Sequence, residues 1–172
     1  MARRTTVRTT LPENQEASAQ NVAAEARSSR AIYPAEHLSP DDLKSTALQL
    51  RRDIVSMIAE AGSGHPGGSL SAVEILTSLY WKVMRHDPSN PHLVDRDRFI
   101  LSKAHASPVI YAVLAQCGYF PREELWSFRK IDSLLQGHAH IMAPGVEMSG
   151  GSLGQGLSFG VGTAMAARLD GR

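Results

Sequence analysis

The 172-residue sequence contains a single cysteine, Cys117, so it can form no internal disulfide. This thiol lies in an apolar stretch, which predicts a buried side chain in a reducing compartment, and we expect a cytoplasmic protein. No apolar run approaches the roughly 18 residues that a membrane-spanning helix needs. The sequence therefore indicates neither a membrane protein nor a disulfide-rich secreted one.

An excess of one charge is also missing. The formal net charge is +1 at pH 7, and acidic and basic residues are interspersed along the chain. Without a basic face, the sequence predicts no nucleic-acid partner and no binding to an anionic membrane. An apolar content of 42% is typical of a globular protein with one sizeable core.

The composition divides the chain into two parts. Residues 1–34 are rich in Arg, Thr, Ser, Ala and Gln and contain few apolar side chains, so we predict a disordered N-terminal tail. Residues 35–172 carry the apolar patterns that a folded domain requires. We find no internal repeat.

Helix signals dominate the folded part. The first helix is predicted to begin at Ser39-Pro40-Asp41-Asp42, which supplies an N-cap, an early proline and acidic residues, and to end near Gly62. A second, largely apolar helix is expected over about 71–84, near the centre of the domain. A third is predicted over about 107–116, ending at Gly118, and a short fourth opens at 121–125.

One strand is predicted, at 98–102, where Arg-Phe-Ile-Leu-Ser is typical of a short buried segment. Residues 132–151 show no periodicity and are predicted to form a loop. Helices that flank short strands indicate an α/β fold, which is helix-rich in this segment.

Three histidines lie in turn-rich loops next to the ends of predicted elements: His65, His105 and His138. Rigid elements often hold binding and catalytic groups in such loops, and imidazole can both donate and accept a hydrogen bond near neutral pH. A zinc site is the alternative, because His138 and His140 are two residues apart and would lie on the same side of an extended segment. However, the sequence has no second cysteine and no His-Glu-x-x-His.

A glycine-dense loop at 150–156 leads into a helix of small residues. Its backbone N–H groups could bind an anion, and the helix dipole would add to that attraction. The glycine spacing does not match the dinucleotide fingerprint, and there is no Walker lysine. The other interpretation of these glycines is close helix packing, which we expect in any case of Gly160, Gly162 and the alanines that follow.

Four motifs combine in a recognisable order. Residues 63–68 (Ser-Gly-His-Pro-Gly-Gly), 98–106 (Arg-Phe-Ile-Leu-Ser-Lys-Ala-His-Ala), 136–138 (Gln-Gly-His) and 144–156 (Pro-Gly-Val-Glu-Met-Ser-Gly-Gly-Ser-Leu-Gly-Gln-Gly) resemble the N-terminal diphosphate-binding domain of transketolases. The resemblance covers about 38–172 and is greatest to the split form, in which this domain forms its own chain. It implies part of a thiamine-diphosphate-binding fold, a parallel sheet flanked by helices.

The resemblance also implies roles for individual residues. His65 matches a histidine that contacts the sugar substrate, and His138 matches one that hydrogen-bonds the donor substrate, so both are candidate catalytic residues. His105 matches a histidine that reaches the cofactor diphosphate. Gly151, Ser152 and Leu153 match the segment whose backbone meets the cofactor, with Leu153 near its pyrimidine.

Two substitutions and one missing motif depart from the family pattern. Ala104 replaces a usual glycine, and Ala139 replaces a common proline. If position 104 needs a positive φ, alanine would cost on the order of 1 kcal/mol and shift His105. The Gly-Asp-Gly-Glu segment that binds the family's divalent metal, Mg²⁺ or another cation, is not in the sequence, so we assign no metal ligand and expect a truncated domain.

The implied activity is the transfer of a two-carbon ketol unit between sugar phosphates, as in the pentose phosphate pathway. In this family the cofactor lies between the diphosphate-binding domain and a pyrimidine-binding domain of another chain, which implies a homo- or hetero-oligomer. We expect this chain alone to be inactive. The alternatives are a non-catalytic truncated remnant, and a related thiamine-dependent ketol-transferring enzyme with different sugar specificity.

Overall fold

The computed structural model describes residues 38–172. The disordered tail predicted for residues 1–34 lies outside this part of the chain and stays a prediction. No helix within the described residues has the length and apolar character needed to cross a membrane.

The first helix, α1 (Pro40–Ala61), begins and ends as predicted. The Ser39 hydroxyl accepts a hydrogen bond from the Asp42 N–H at 3.2 Å, and the Asp42 carboxylate accepts one from the Ser39 N–H at 2.8 Å. This reciprocal capping box satisfies two of the N–H groups that a helix start leaves without partners. Gly62 ends the helix by donating to the Ala59 carbonyl at 3.1 Å.

The second predicted helix is divided into shorter pieces. A single turn, α2 (Pro66–Leu70), forms just after His65, where a loop was predicted. After it, α3 (Val73–Ser78) continues into a π-helical turn at Leu79–Val83. The apolar residues of this segment are not all buried, because Ile75 is 61% and Val83 is 63% exposed. Only one side of this segment packs into the core, through Val73, Leu76, Tyr80 and Trp81.

The central element is α4 (Ser107–Cys117), of which only Gln116 is exposed. It follows a 3₁₀ turn at Ala104–Ala106 and ends at Gly118, as predicted. Cys117 is buried, which confirms the expectation for its thiol. The short fourth helix is present as a 3₁₀ turn over Arg122–Ser127.

The strand predicted at 98–102 does not form. This segment has no regular secondary structure, and the described residues contain no strand. A strand is stabilised by hydrogen bonds to a neighbouring strand, and residues 38–172 supply no such neighbour. The apolar character of 98–102 therefore predicted burial correctly only in part, since Phe99 and Leu101 pack against the core without joining a sheet.

The last helix, α5 (Gln155–Leu169), follows the glycine loop as predicted. Gly156 is its only buried residue. The close packing expected of its small residues is found only in part within the described residues: Gly160 and Ala167 are half-buried, whereas Gly162, Ala164 and Ala166 are exposed. Five large apolar side chains of α5 also face solvent: Leu157, Phe159, Val161, Met165 and Leu169.

An ion pair between a buried carboxylate and a half-exposed arginine joins α1 to the turn that follows α4. Asp53 is 1% exposed and pairs with Arg122, whose Nε lies 3.2 Å from Asp53 Oδ2. Gln49 donates to the same carboxylate at 2.9 Å. Because removing one partner of a buried pair is strongly destabilising, this contact supports the packing of the core.

His86 is buried between two polar groups of the core. Its Nε2 lies 2.8 Å from the Tyr80 carbonyl oxygen, and its Nδ1 lies 3.0 Å from the Tyr119 hydroxyl. Burial disfavours the imidazolium and lowers the pKa of His86 below its ordinary value, although the Tyr80 carbonyl opposes this effect. The folded protein therefore binds a proton at His86 less readily than the unfolded chain does.

This pKa difference predicts acid sensitivity. The free energy of unfolding should fall as the pH decreases below about 6.5, where the unfolded chain takes up a proton first. His86→Gln keeps hydrogen-bonding groups but does not titrate, so it should flatten the pH dependence between about pH 5 and 7. Urea unfolding of both proteins across this range measures the effect. An equal slope in the variant would assign it to another group.

Candidate active site

The three loop histidines meet in the structure. The ring centroids of His65 and His105 are 5.0 Å apart, and those of His105 and His138 are 4.8 Å apart. Both pairs are edge-to-face, with interplanar angles of 87° and 90°. His105 thus lies between the other two, and segments that are distant in the sequence form one cluster, which we call the histidine cluster.

The side of the cluster at His65 is held by α2 and by Lys103. His65 is the residue before α2, and its carbonyl accepts a hydrogen bond from the Ser69 hydroxyl at 3.2 Å. The Lys103 ammonium donates to the Gly68 carbonyl at 2.7 Å and to the Ser71 hydroxyl at 3.1 Å. These contacts fix the segment that carries His105 against the helix that follows His65.

The side at His138 is held by hydroxyl groups of α4. Ser107 Oγ donates to the Gly137 carbonyl at 2.8 Å. The Tyr111 hydroxyl lies 3.1 Å from the Gln136 carbonyl oxygen and 3.0 Å from that of His138. Burial raises the pKa of Tyr111 to about 12, so its hydroxyl keeps its proton and remains a donor at neutral pH. The backbone of this loop is therefore fixed, while the His138 ring is exposed.

His105 has an unusual hydrogen-bonding state. Its Nδ1 is buried and is the one buried side-chain nitrogen or oxygen within residues 38–172 that has no hydrogen-bond partner. A buried polar atom without a partner costs on the order of 1–3 kcal/mol, and native structures tolerate few of them. A ligand that reaches this nitrogen would supply the missing partner.

The glycine loop approaches the cluster more closely than a side chain would permit. A Cβ on Gly150 would lie 2.9 Å from the Ala104 Cβ, and a Cβ on Gly156 would lie 2.6 Å from the Ser102 Cα. The Gly150 N–H donates to the Ala139 carbonyl at 3.0 Å. The loop is thus packed against the segments that carry His105 and His138.

The departure from the family pattern at Ala104 brings no backbone strain. Ala104 lies in a 3₁₀ turn, and it is not among the positive-φ residues of the described part of the chain, so the strain considered for this position does not arise. Ala104 is 1% exposed and meets Gly150 directly. The methyl group of alanine therefore fits because its neighbour is a glycine.

Two amides expected to face an anion are bonded within the protein. The N–H of Gly150 donates to Ala139, and that of Gly154 donates to the Ser102 carbonyl at 3.3 Å. This limits the expectation that the backbone N–H groups of the 150–156 loop bind an anion, since backbone donors bond wherever a buried carbonyl is within reach.

Gly151, Ser152 and Leu153 occupy the part of the loop that remains accessible. Leu153 is 66% exposed and lines a cleft of about 490 Å³ together with Lys103 and residues of α3. Within residues 38–172, no hydrogen bond joins these three residues to the histidine cluster. The structure brings the candidate catalytic histidines together, and it leaves the candidate cofactor-binding segment open beside them.

The donor set fits an anion better than a metal. Imidazole and backbone N–H groups bind phosphate oxygens, whereas a metal centre needs several ligands that converge on one point. In the part of the chain that is described, no group of three or more His, Cys, Asp or Glu residues is arranged to hold a metal ion. The zinc alternative for His138 and His140 thus has no supporting ligand set there.

Sequence reasoning missed the residues that support the cluster. Ser107 and Tyr111 lie one helical turn apart and carry the hydroxyls of an otherwise apolar helix, which is the pattern that could have revealed them. Lys103 has no such signal, because its partners lie on and just after α2. Arg96 and Glu147 also lack a local sequence signal, because they pair across 51 positions of the sequence.

The cluster of imidazoles beside the glycine loop is a candidate anion-binding site, and comparison with known proteins gives the family. Residues 43–170 match the family model described as the thiamine diphosphate binding domain of transketolase. The chain belongs to this family. Its helices are therefore part of an α/β domain.

The relatives include both separate subunits and full-length enzymes. The chain is 43% identical over 130 residues to a 6-deoxy-6-sulfo-D-fructose transketolase subunit of Clostridium sp. (strain MSTE9), covering 75% of this chain and 47% of the relative. It is 42% identical over 120 residues to an apulose-4-phosphate transketolase subunit of Phocaeicola vulgatus, covering 70% of this chain and 43% of the relative.

A solved structure of transketolase from Campylobacter jejuni is similar with a TM-score of 0.71 at 39% identity, covering 76% of this chain and 21% of that one. The matched region is thus about a fifth of that full-length enzyme and less than half of the two bacterial subunits.

Proposed function

We propose that this chain forms the diphosphate-binding side of a thiamine-diphosphate-dependent transketolase, which transfers a two-carbon ketol unit from a ketose phosphate to an aldose phosphate. The observation that carries the proposal is the position of His105, between two other imidazoles and with a buried nitrogen that has no protein partner. Membership of the transketolase family supports the same cofactor.

We assign cofactor binding to one set of residues and substrate contact to another, according to their exposure. His105 and the accessible segment at Gly151, Ser152 and Leu153 would hold the cofactor. His65 and His138 are exposed on either side of His105, where their rings can hydrogen-bond sugar hydroxyl groups and move protons. When bound, thiamine diphosphate supplies the electron sink for cleavage of the ketol carbon–carbon bond.

Within residues 38–172, no group of side chains is arranged to hold a metal ion. We propose that the partner is a pyrimidine-binding transketolase subunit, in a homo- or hetero-oligomer, and that residues other than 38–172 hold a divalent cation such as Mg²⁺. The two bacterial relatives are described as subunits, which supports a split arrangement. Because the partner would supply part of the site, we expect no turnover from residues 1–172 alone. We also expect a cytoplasmic location, because a single cysteine allows no internal disulfide.

A related activity with other sugars is the second candidate. The two bacterial relatives are described as transketolases for a sulfonated fructose and for apulose 4-phosphate, so the split form is not confined to one substrate. Steady-state assays of the assembled enzyme with xylulose 5-phosphate, a sulfofructose and apulose 4-phosphate distinguish the candidates. The substrate with the highest kcat/KM identifies the activity.

His105→Ala tests the cofactor assignment. We expect thiamine diphosphate to bind about ten- to a hundredfold more weakly, because a hydrogen bond to a charged group is worth on the order of 1.5–3 kcal/mol. The melting temperature should change little, since the substitution also removes a buried nitrogen without a partner. Calorimetric titration of the assembly with cofactor and Mg²⁺ measures the first effect, and thermal unfolding without cofactor measures the second.

The matched control for this experiment is His140→Ala. His140 is exposed and its Nδ1 accepts a hydrogen bond from the Met142 N–H at 3.2 Å, so its imidazole is already used within its own loop. We expect its cofactor affinity to equal that of the wild-type protein. Wild-type protein that binds no thiamine diphosphate in the assembly would favour the non-catalytic remnant instead.

A further inference from the structure

A cluster of charged side chains, which we call the Glu147 clamp, lies at the entrance of the glycine loop. Arg96 binds the Glu147 carboxylate with both terminal nitrogens, and one of these contacts is 3.1 Å long. Arg98 donates to the same carboxylate at 3.0 Å. The side chains of Arg96 and Glu147 are only 10% and 11% exposed. A bidentate pair with little exposure fixes direction as well as distance.

The Glu147 clamp is anchored on the far side as well. Arg96 Nε donates to the Pro91 carbonyl at 2.7 Å, so the guanidinium is held by two different parts of the chain. Arg98 begins the segment 98–106, which carries Lys103 and His105. Glu147 is therefore tied to the base of the segment that positions the central histidine.

The Glu147 clamp is close in sequence to the contacts that shape the site. Gly150, three residues after Glu147, donates to the Ala139 carbonyl beside His138 and packs against Ala104 beside His105. Between Glu147 and Gly150, Ser149 Oγ accepts a hydrogen bond from the Ile141 N–H at 3.1 Å. The chain is thus held at Glu147, and three residues later Gly150 contacts the segments that carry His105 and His138.

We propose that Glu147 is a positioning residue, which acts through Arg96 and Arg98 to hold the glycine loop against the histidine cluster in its cofactor-binding conformation. This inference rests on the proposed function, because it concerns the same site. Loss of the carboxylate charge leaves two guanidinium groups without their shared partner, so the loop entrance is released. Gly151, Ser152 and Leu153 then lose the orientation that cofactor binding requires, and ordering them again offsets part of the binding free energy.

The chain provides a matched control for a purely structural ion pair. Asp53 is also a buried carboxylate paired with an arginine, but it joins α1 to the Arg122–Ser127 turn and contacts neither histidine segment. Asp53→Asn and Glu147→Gln each replace a buried carboxylate that pairs with arginine by its neutral amide. A difference in cofactor affinity between the two variants therefore reflects where each carboxylate lies relative to the site.

The experiment compares these two variants in the purified protein, assembled with its pyrimidine-binding partner. For Glu147→Gln we expect thiamine diphosphate affinity to fall about tenfold, in line with the loss of one partner of a charged hydrogen bond. Turnover at saturating cofactor should change by less than about threefold, because the reacting groups remain. Asp53→Asn should lower the melting temperature and leave cofactor affinity within about twofold.

A second readout needs no cofactor. Backbone hydrogen exchange of the peptide that contains the Gly150 N–H should accelerate in Glu147→Gln relative to peptides of α4, and it should not do so in Asp53→Asn. If Glu147→Gln does not fold, Arg98→Gln serves, since Arg98 is 38% exposed and its loss leaves the Arg96 pair intact. Glu147→Asp, which keeps the charge, should recover part of the affinity.

The outcomes separate this inference from the proposed function. Lower melting temperature in Glu147→Gln with unchanged cofactor affinity and unchanged Gly150 exchange would overturn the positioning role. If the wild-type protein binds no thiamine diphosphate, the proposed function fails, and exchange at Gly150 alone decides whether Glu147 orders the loop.

Discussion

His138→Ala should lower the turnover of the assembled enzyme by about 10²- to 10⁴-fold, the range that a positioned imidazole contributes to catalysis. His65→Ala should have an effect of the same order. Both rings are exposed and contact the cluster only through an edge-to-face pair with His105. The rings are thus available to a substrate, and few packing contacts depend on them.

The fold should tolerate the loss of the His138 ring. The loop is held through its backbone, because Tyr111 donates to the His138 carbonyl and Ser107 donates to that of Gly137. We therefore expect the free energy of unfolding to change by less than about 0.5 kcal/mol, as for other surface substitutions. Steady-state kinetics at saturating cofactor and thermal unfolding of the same preparations measure the two effects.

Two control variants distinguish a catalytic role of His138 from a structural one. His92 is an exposed histidine outside the cluster, and His92→Ala should keep full turnover. Tyr111→Phe removes the hydroxyl proton that the Gln136 and His138 carbonyl oxygens share, so it should lower both stability and turnover. A His138→Ala variant that behaves like Tyr111→Phe, with parallel losses, would make His138 a structural residue.

Local signals were sufficient for the helix ends. Ser39 with Asp42 predicted the start of α1, and Gly62 and Gly118 predicted the ends of α1 and α4, because caps depend on residues within a few positions. The π-helical turn at Leu79–Val83 carries no comparable local signal, so the second helix was predicted as continuous. The strand at 98–102 failed because pairing depends on a second strand.

The candidate histidines of the site could be predicted from the sequence, but the contacts that hold them in place could not. Histidines beside glycine-rich turns were recognisable as candidates from the sequence, and family resemblance implied their roles, which stay predictions. Their convergence is a property of the fold, set by contacts such as Lys103 to Gly68. The Glu147 clamp and the hydroxyls of α4 involve partners far apart in the chain, and no local pattern specifies such pairs.

Gly156→Ala should destabilise the protein by about 1–3 kcal/mol, although the same change usually stabilises a helix. A Cβ at this position would lie 2.6 Å from the Ser102 Cα and 3.0 Å from the Ser102 nitrogen, and these are backbone atoms that cannot rotate away. Either α5 or the 98–106 segment must shift, which would displace His105 from the glycine loop. We therefore expect cofactor affinity to fall together with stability.

Gly162→Ala, in the same helix, should have the opposite sign. No atom lies within 4 Å of a Cβ at Gly162, so alanine adds helix propensity of roughly 0.5–1 kcal/mol without a clash. Urea unfolding and cofactor titration of both variants test the pair, with the assembled protein as reference. Because both substitutions add one methyl group to α5, a difference in sign would isolate the contact between Gly156 and Ser102. Equal stabilisation by both would show that α5 can move away from Ser102 at no cost.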